Sequence, residues 1–94
     1  MNLIGRGELE AFKERHGVVR SPCESWEQEV IHATWRTPQD IKNRYRSVSF
    51  LPNSRVIFNI KGEKYRIGTL VHFPTMTVSV EWALTHAEYS KKFR

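Results

Sequence analysis

The stretch from Val56 to Tyr89 constrains the fold more than any other part of the chain. Apolar and polar residues alternate through Val56-Ile57-Phe58-Asn59-Ile60, and again through Lys64-Tyr65-Arg66-Ile67 after Lys61-Gly62. Alternation resumes after Pro74 in Val78-Ser79-Val80-Glu81-Trp82, and the stretch closes on Thr85-His86-Ala87-Glu88-Tyr89. A period of two marks strands with two unlike faces. Thr85-x-x-Glu88 is a capping box, in which each side chain can satisfy the other residue's free backbone N–H. The reading is a three-stranded meander that ends in a short helix starting at His86.

With Lys61-Gly62 as a two-residue turn, Ile60 is expected opposite Glu63, Phe58 opposite Tyr65 and Val56 opposite Ile67. Asn59 then pairs with Lys64, and Ile57 with Arg66. A turn at Pro74-Thr75 sets Val71 against Val78, Ile67 against Trp82, Arg66 against Ala83 and Lys64 against Thr85. Both hairpins sort the side chains alike. One face is almost wholly apolar and includes Trp82. The other carries Asn59, Lys64, Arg66 and His72, with His86 just beyond.

Upstream the chain reads as helical. Gly7 to His16 carries Leu9, Phe12 and His16 at helical spacing, with Gly17 as a stop. Ser21-Pro22-Cys23-Glu24 is a helix start with Ser21 as cap, and Cys23, Trp26, Val30 and Ala33 form its apolar stripe. Thr37-Pro38-Gln39-Asp40 repeats that start in weaker form ahead of Ile41 and Tyr45. Val48 and Phe50 alternate with serines as a strand, Pro52-Asn53-Ser54 is a turn, and Leu3-Ile4 is a short strand. The order gives an α+β domain over residues 1–94, with N-terminal helices on one face of an antiparallel sheet and the other face free.

A chain of 94 residues, 39% of them hydrophobic, supports one core. No apolar run approaches the roughly 18 residues of a membrane span, and Met1 to Arg6 lacks the apolar centre of a signal peptide. Cys23 is the single cysteine, so no intrachain disulfide forms and a reducing cytoplasm is the expected compartment. The net charge of +5 is uneven: residues 1–54 hold eight Lys/Arg and seven Asp/Glu, while residues 55–94 hold seven and three. The excess lies on the sheet and last helix, which suits a polyanion such as nucleic acid.

His16, His32, His72 and His86 are scattered, no Cys-x-x-Cys or His-x-x-x-His spacing occurs, and no phosphate-cradling glycine loop or serine nucleophile motif is present. What remains is a basic and aromatic constellation with one well-placed histidine, which suits RNA cleavage without a metal or cofactor. There the 2′-hydroxyl attacks its own phosphate. Histidine moves protons near neutral pH, arginine and lysine hold the extra negative charge, and tyrosine stacks or donates. The candidate catalytic residues are His86, Arg66 and Tyr89; the candidate RNA-binding residues are Lys64, Lys61, Asn59 and Lys91. Tyr65, Trp26, Trp35 and Trp82 are expected to pack, and His16, His32 and His72 to be structural or merely exposed.

The run from Val56 to Arg66, the closing Thr85-His86-Ala87-Glu88-Tyr89, and the upstream Trp35-x-x-Pro38-x-Asp40-Ile41-Lys42-x-x-Tyr45-Arg46-Ser47 together resemble the HigB toxin family. The resemblance implies a RelE-like fold and a ribosome-dependent, metal-independent mRNA endonuclease. It also implies mRNA on the translating ribosome as target and a HigA-like helix-turn-helix antitoxin as partner, with operator DNA reached only through that antitoxin. The chain departs from the family pattern at Glu63, Gly68 and Ser90. Two other functions fit the same residues: a toxin of this fold acting on a protein such as DNA gyrase, and an RNA-binding module that does not cut.

Overall fold

The computed structural model describes residues 1–62 and 64–92. In chain order it comprises β1 (Asn2–Ile4), α1 (Arg6–Arg15), a 3-10 turn (Gly17–Val19), α2 (Arg20–His32), α3 (Pro38–Arg44), β2 (Ser49–Leu51), β3 (Arg55–Ile60), β4 (Tyr65–His72), β5 (Thr77–Thr85) and α4 (His86–Lys92). The architecture is α+β and RelE-like. The meander is present as β3, β4 and β5, and the closing helix starts at His86 as expected. The sheet runs β1-β5-β4-β3-β2. It is mixed rather than wholly antiparallel, because β1 lies parallel to β5 with Leu3 beside Val78. Gly5 makes this possible: its φ is +77°, and a Cβ there would fall 2.4 Å from the Val80 carbonyl oxygen. A side chain at that corner would hold β1 and α1 away from β5.

The two capping boxes expected upstream fare differently. At Thr37 the box forms, with the Asp40 N–H donating to Thr37 Oγ1 and the Thr37 N–H to Asp40 Oδ2, and Pro38 fits the first turn. At Ser21 it does not. The helix starts two residues earlier than a Ser21 cap requires, at Arg20, directly off the 3-10 turn, and Val19 occupies the cap position without a side-chain bond. Val19 is fully buried. Seating its side chain in the core winds the turn on into the helix and leaves Ser21 inside the first turn.

Helices α1 and α2 cover one face of the sheet. Leu9 and Phe12 from α1, and Cys23, Trp26 and Val30 from α2, meet Phe58, Ile67, Val78 and Val80 in the core. Trp26 meets Phe58 edge-on at 5.3 Å, and Trp35 stacks on the same ring at 5.9 Å. Tyr65 packs on this side against Phe12, as expected. Within this layer Lys13 and Glu27 are both buried, at 2% and 1% exposure, and pair at 2.6 Å. Val48 is buried just before β2, whereas Phe50 within β2 is exposed.

Two details of register differ from the sequence reading. The β3–β4 connection spans residues 61–64, so Ile60 pairs with Tyr65, Asn59 with Arg66 and Phe58 with Ile67; the expected partner Glu63 lies outside the described residues. That is a slip of two, which leaves every side chain on its assigned face. In the second hairpin Val71 pairs with Val78 as expected, but the ladder then breaks: Thr69 pairs with Val80 and Gly68 with Trp82. Glu81 is the extra residue of a β-bulge. Past it, Ala83 faces the core and is buried, while Trp82 swings to the opposite face and is half-buried. The expectation that Trp82 belongs to the core is therefore corrected, and the basic free face gains an indole. Ile57, on that face, is only 4% exposed, because α4 and Trp82 lie along it.

Candidate active site

The site is assembled where β4, the end of β5 and the first turn of α4 meet. Helix α4 is fixed by its capping box: the Thr85 N–H donates to Glu88 Oε1 at 2.9 Å, and the Glu88 N–H to Thr85 Oγ1 at 3.1 Å. Glu88 also faces α1, with its carboxylate 3.5 Å from His16 Nε2 and 4.0 Å from Arg15 Nη2. The Thr85 N–H, then His16 and Arg15, hold the Glu88 carboxyl below its usual range. The His86 N–H donates to the Lys64 carbonyl oxygen at 2.9 Å. This ties the helix start to the β3–β4 connection and puts His86 beside Lys64, as the sequence suggested.

Arg66, His86 and Tyr89 come together. Arg66 Nη2 lies 3.4 Å from His86 Nδ1. A guanidinium only donates, so the contact is a hydrogen bond when Nδ1 carries no proton. The Arg66 Cζ sits 4.4 Å over the Tyr89 ring, a cation–π arrangement that fixes the guanidinium plane. Its Nε is buried with no hydrogen-bond partner among the described residues. The spacing of three between His86 and Tyr89 on α4 places both side chains over one turn. The histidine is exposed and the tyrosine half-buried, so a proton-carrying ring stands at the surface beside a fixed positive charge.

The candidate RNA-binding residues are spread more widely. Lys64 is exposed immediately before β4, not within the strand. Lys61 is exposed in the same connection, with a φ of +51°, and Lys91 is exposed on α4. Asn59 spends its amide on the Ser47 carbonyl oxygen at 2.6 Å, tying the segment before β2 to the edge of β3. Sequence reasoning missed Trp82 and Gly68. The Trp82 ring lies 5.6 Å from that of Tyr89. A Cβ at Gly68 would fall 2.1 Å from Trp82 Cε2, so the indole occupies the space a side chain would need. An isolated glycine inside a strand signals a bulge or a close approach, and here it marks both. Among the described residues no three His, Cys, Asp or Glu side chains gather as a metal-holding group, and no helix is long and apolar enough to cross a membrane.

The family model described as the RelE-like toxic component of a toxin–antitoxin system matches residues 19–92, which run from the 3-10 turn through α4. The chain belongs to the HigB toxin family. It is therefore the toxin of a toxin–antitoxin system, and an antitoxin is its partner. A comparison with curated proteins gave no match. In this HigB toxin, Arg66, His86 and Tyr89 form one cluster. It joins a titratable ring, a fixed cation and a phenol on the half of the chain that carries the positive excess.

Proposed function

We propose that this toxin is a ribosome-dependent, metal-independent endoribonuclease that cuts mRNA during translation, in the cytoplasm, and is held inactive by a HigA-like helix-turn-helix antitoxin. The observation that carries this reading is the convergence of Arg66, His86 and Tyr89 in a HigB-family chain. In the reaction the 2′-oxygen attacks the adjacent phosphorus, the bond to the 5′-oxygen breaks, and the products are a 2′,3′-cyclic phosphate and a 5′-hydroxyl. His86 moves the proton, a role that imidazole chemistry suits. Arg66 holds the charge that builds on the phosphoryl oxygens. Tyr89 keeps the guanidinium in plane and serves as assisting donor. Lys64, Lys61 and Lys91 attract and place the RNA backbone, and Asn59 keeps the neighbouring edge in shape. The test is expression without antitoxin, followed by end-mapping of ribosome-bound mRNA. Growth arrest with new 5′-hydroxyl ends inside reading frames is expected, with rescue by the cognate antitoxin. Arrest with DNA breaks linked to gyrase and intact mRNA would replace this reading with that of a gyrase poison.

A further inference from the structure

We propose that the cavity beside Trp82 is a nucleobase subsite, in which one base of the RNA stacks on the indole, with guanine as the best-matched base. The proposal rests on the endoribonuclease reading and specifies how that site takes its substrate.

Placement is the first argument. The cavity measures about 120 Å³ and lies on the open face of the sheet, between the edge strand β2 and the bulge in β5. Its walls include Leu51, Ile57, Trp82 and Tyr89. Tyr89 is shared: its ring carries the Arg66 guanidinium and also lines the cavity. A phosphate held at Arg66 therefore has its own nucleoside within reach of the opening. A cavity of roughly 150 Å³ takes a benzene ring, so the smaller space here seats one ring of a base, with the rest of the base at its open mouth, rather than a whole nucleotide.

The chemistry of the walls is the second argument. The lining is apolar and aromatic, as a base face requires. Two charged side chains of opposite sign, Arg55 and Glu81, stand on it. Both are exposed, and neither is in an ion pair among the described residues. Arginine only donates and an ionised glutamate only accepts. Guanine offers both complements: acceptors at O6 and N7 for a guanidinium, and adjacent N–H donors on its Watson–Crick edge for a carboxylate.

The backbone supplies the third argument. Two local departures from regular sheet are needed to make this space. The bulge at Glu81 turns Trp82 onto the open face, and Gly68 leaves bare backbone for the indole to lie on. The same bulge that seats Ala83 in the core sends Trp82 the other way. The joint effect of bulge and glycine is a flat aromatic wall beside the cleavage cluster.

The experiment titrates guanosine 5′-monophosphate and cytidine 5′-monophosphate into the toxin and follows the three indole N–H resonances by NMR, with Trp82→Phe assigning the Trp82 signal. A saturable shift of Trp82 is expected, with Trp26 and Trp35 unmoved because they are buried on the other side of the sheet. Guanosine monophosphate should bind more tightly than cytidine monophosphate, and Glu81→Gln, an exposed change on the rim, should narrow that difference. Trp82→Ala should bind about 10- to 100-fold more weakly and change the base preference of mRNA cutting. If the wild type cuts mRNA while neither nucleotide moves Trp82, and Trp82→Ala cuts with wild-type preference, the subsite is overturned and the nuclease reading stands. If the nucleotides shift Trp82 but no cleavage accompanies growth arrest, the subsite stands and the nuclease reading falls.

Discussion

Lys13 Nζ lies 2.6 Å from Glu27 Oε2 in the layer between α1 and α2, with both side chains almost wholly withdrawn from water. Arg6 reaches the other Glu27 oxygen at 2.9 Å, so one buried carboxylate is held by two cations from α1. Lys13→Met removes one of them and leaves the charge of Glu27 short of a partner. Breaking a buried pair costs about 3–5 kcal/mol, and the lower end is expected here because Arg6 remains. Urea unfolding should show that loss, and Lys13→Met combined with Glu27→Leu should recover most of it. A double variant no better than the single one would show that the pair stabilises beyond its own compensation.

Lys13 also has an alkaline signature. Burial acts to lower its pKa, but the hydrogen bond and charge of Glu27, with Glu10 adding, outweigh it and raise the value above the ordinary lysine figure. The folded value exceeds the unfolded one, so the stability linked to it is complete below about pH 10 and is lost as pH rises through the folded value. Wild-type stability should fall in that alkaline range more steeply than that of the Lys13→Met, Glu27→Leu variant.

Glu88 predicts the opposite slope. Its folded pKa lies below the unfolded one, chiefly through the Thr85 N–H. Its contribution is therefore present above the unfolded value of about 4.3 and is lost as pH falls through the folded value. Thr85→Ala removes the other half of the box and should cost about 1 kcal/mol. Faster hydrogen exchange confined to α4, together with weakened toxicity, is the expected pattern. Exchange that accelerates across the whole sheet would mean that α4 is integral to the core.

Phe58→Ala and Trp82→Ala should part company. Phe58 is fully buried among Trp26, Trp35 and Tyr45, and truncating such a ring typically costs about 3–5 kcal/mol. Trp82 is half-buried on the open face, so its loss should lower thermal stability by much less. Equal melting losses would place the indole back in the core.

His86→Ala should slow single-turnover cleavage on saturated ribosomes by about 10²–10⁴ while leaving ribosome binding near the wild-type level. Lys64→Ala should instead weaken binding and reduce its salt dependence. A wild-type cleavage rate in His86→Ala would move the proton chemistry to Tyr89 or a lysine.

The faces of β3 and β4 were legible because strand parity survives an error of two. Moving Ile60 from Glu63 to Tyr65 as partner left Asn59 and Arg66 on one side and Phe58 and Tyr65 on the other. The closing helix was legible because Thr85 and Glu88 satisfy free N–H groups locally, with no help from the rest of the fold. Arg66, His86 and Tyr89 inherit their meeting from those two facts. The same chemistry at Ser21 failed because a non-local demand, the burial of Val19, decided where α2 begins. Trp82 was misplaced because Val80, Glu81 and Trp82 continue the alternation without a break. The bulge there answers to Gly68, thirteen positions upstream in the partner strand.

That extra residue leaves β5 out of phase with itself. Val78 and Val80 answer to the packing of α1 and α2, whereas Trp82 and Leu84 answer to whatever lies on the open face. The two halves of one strand are thus free to change under separate pressures. Exchanges at Trp82 can alter the open face while the core keeps its shape, and removing Glu81 alone would restore an unbroken ladder with Trp82 still on the open face and Ala83 still in the core.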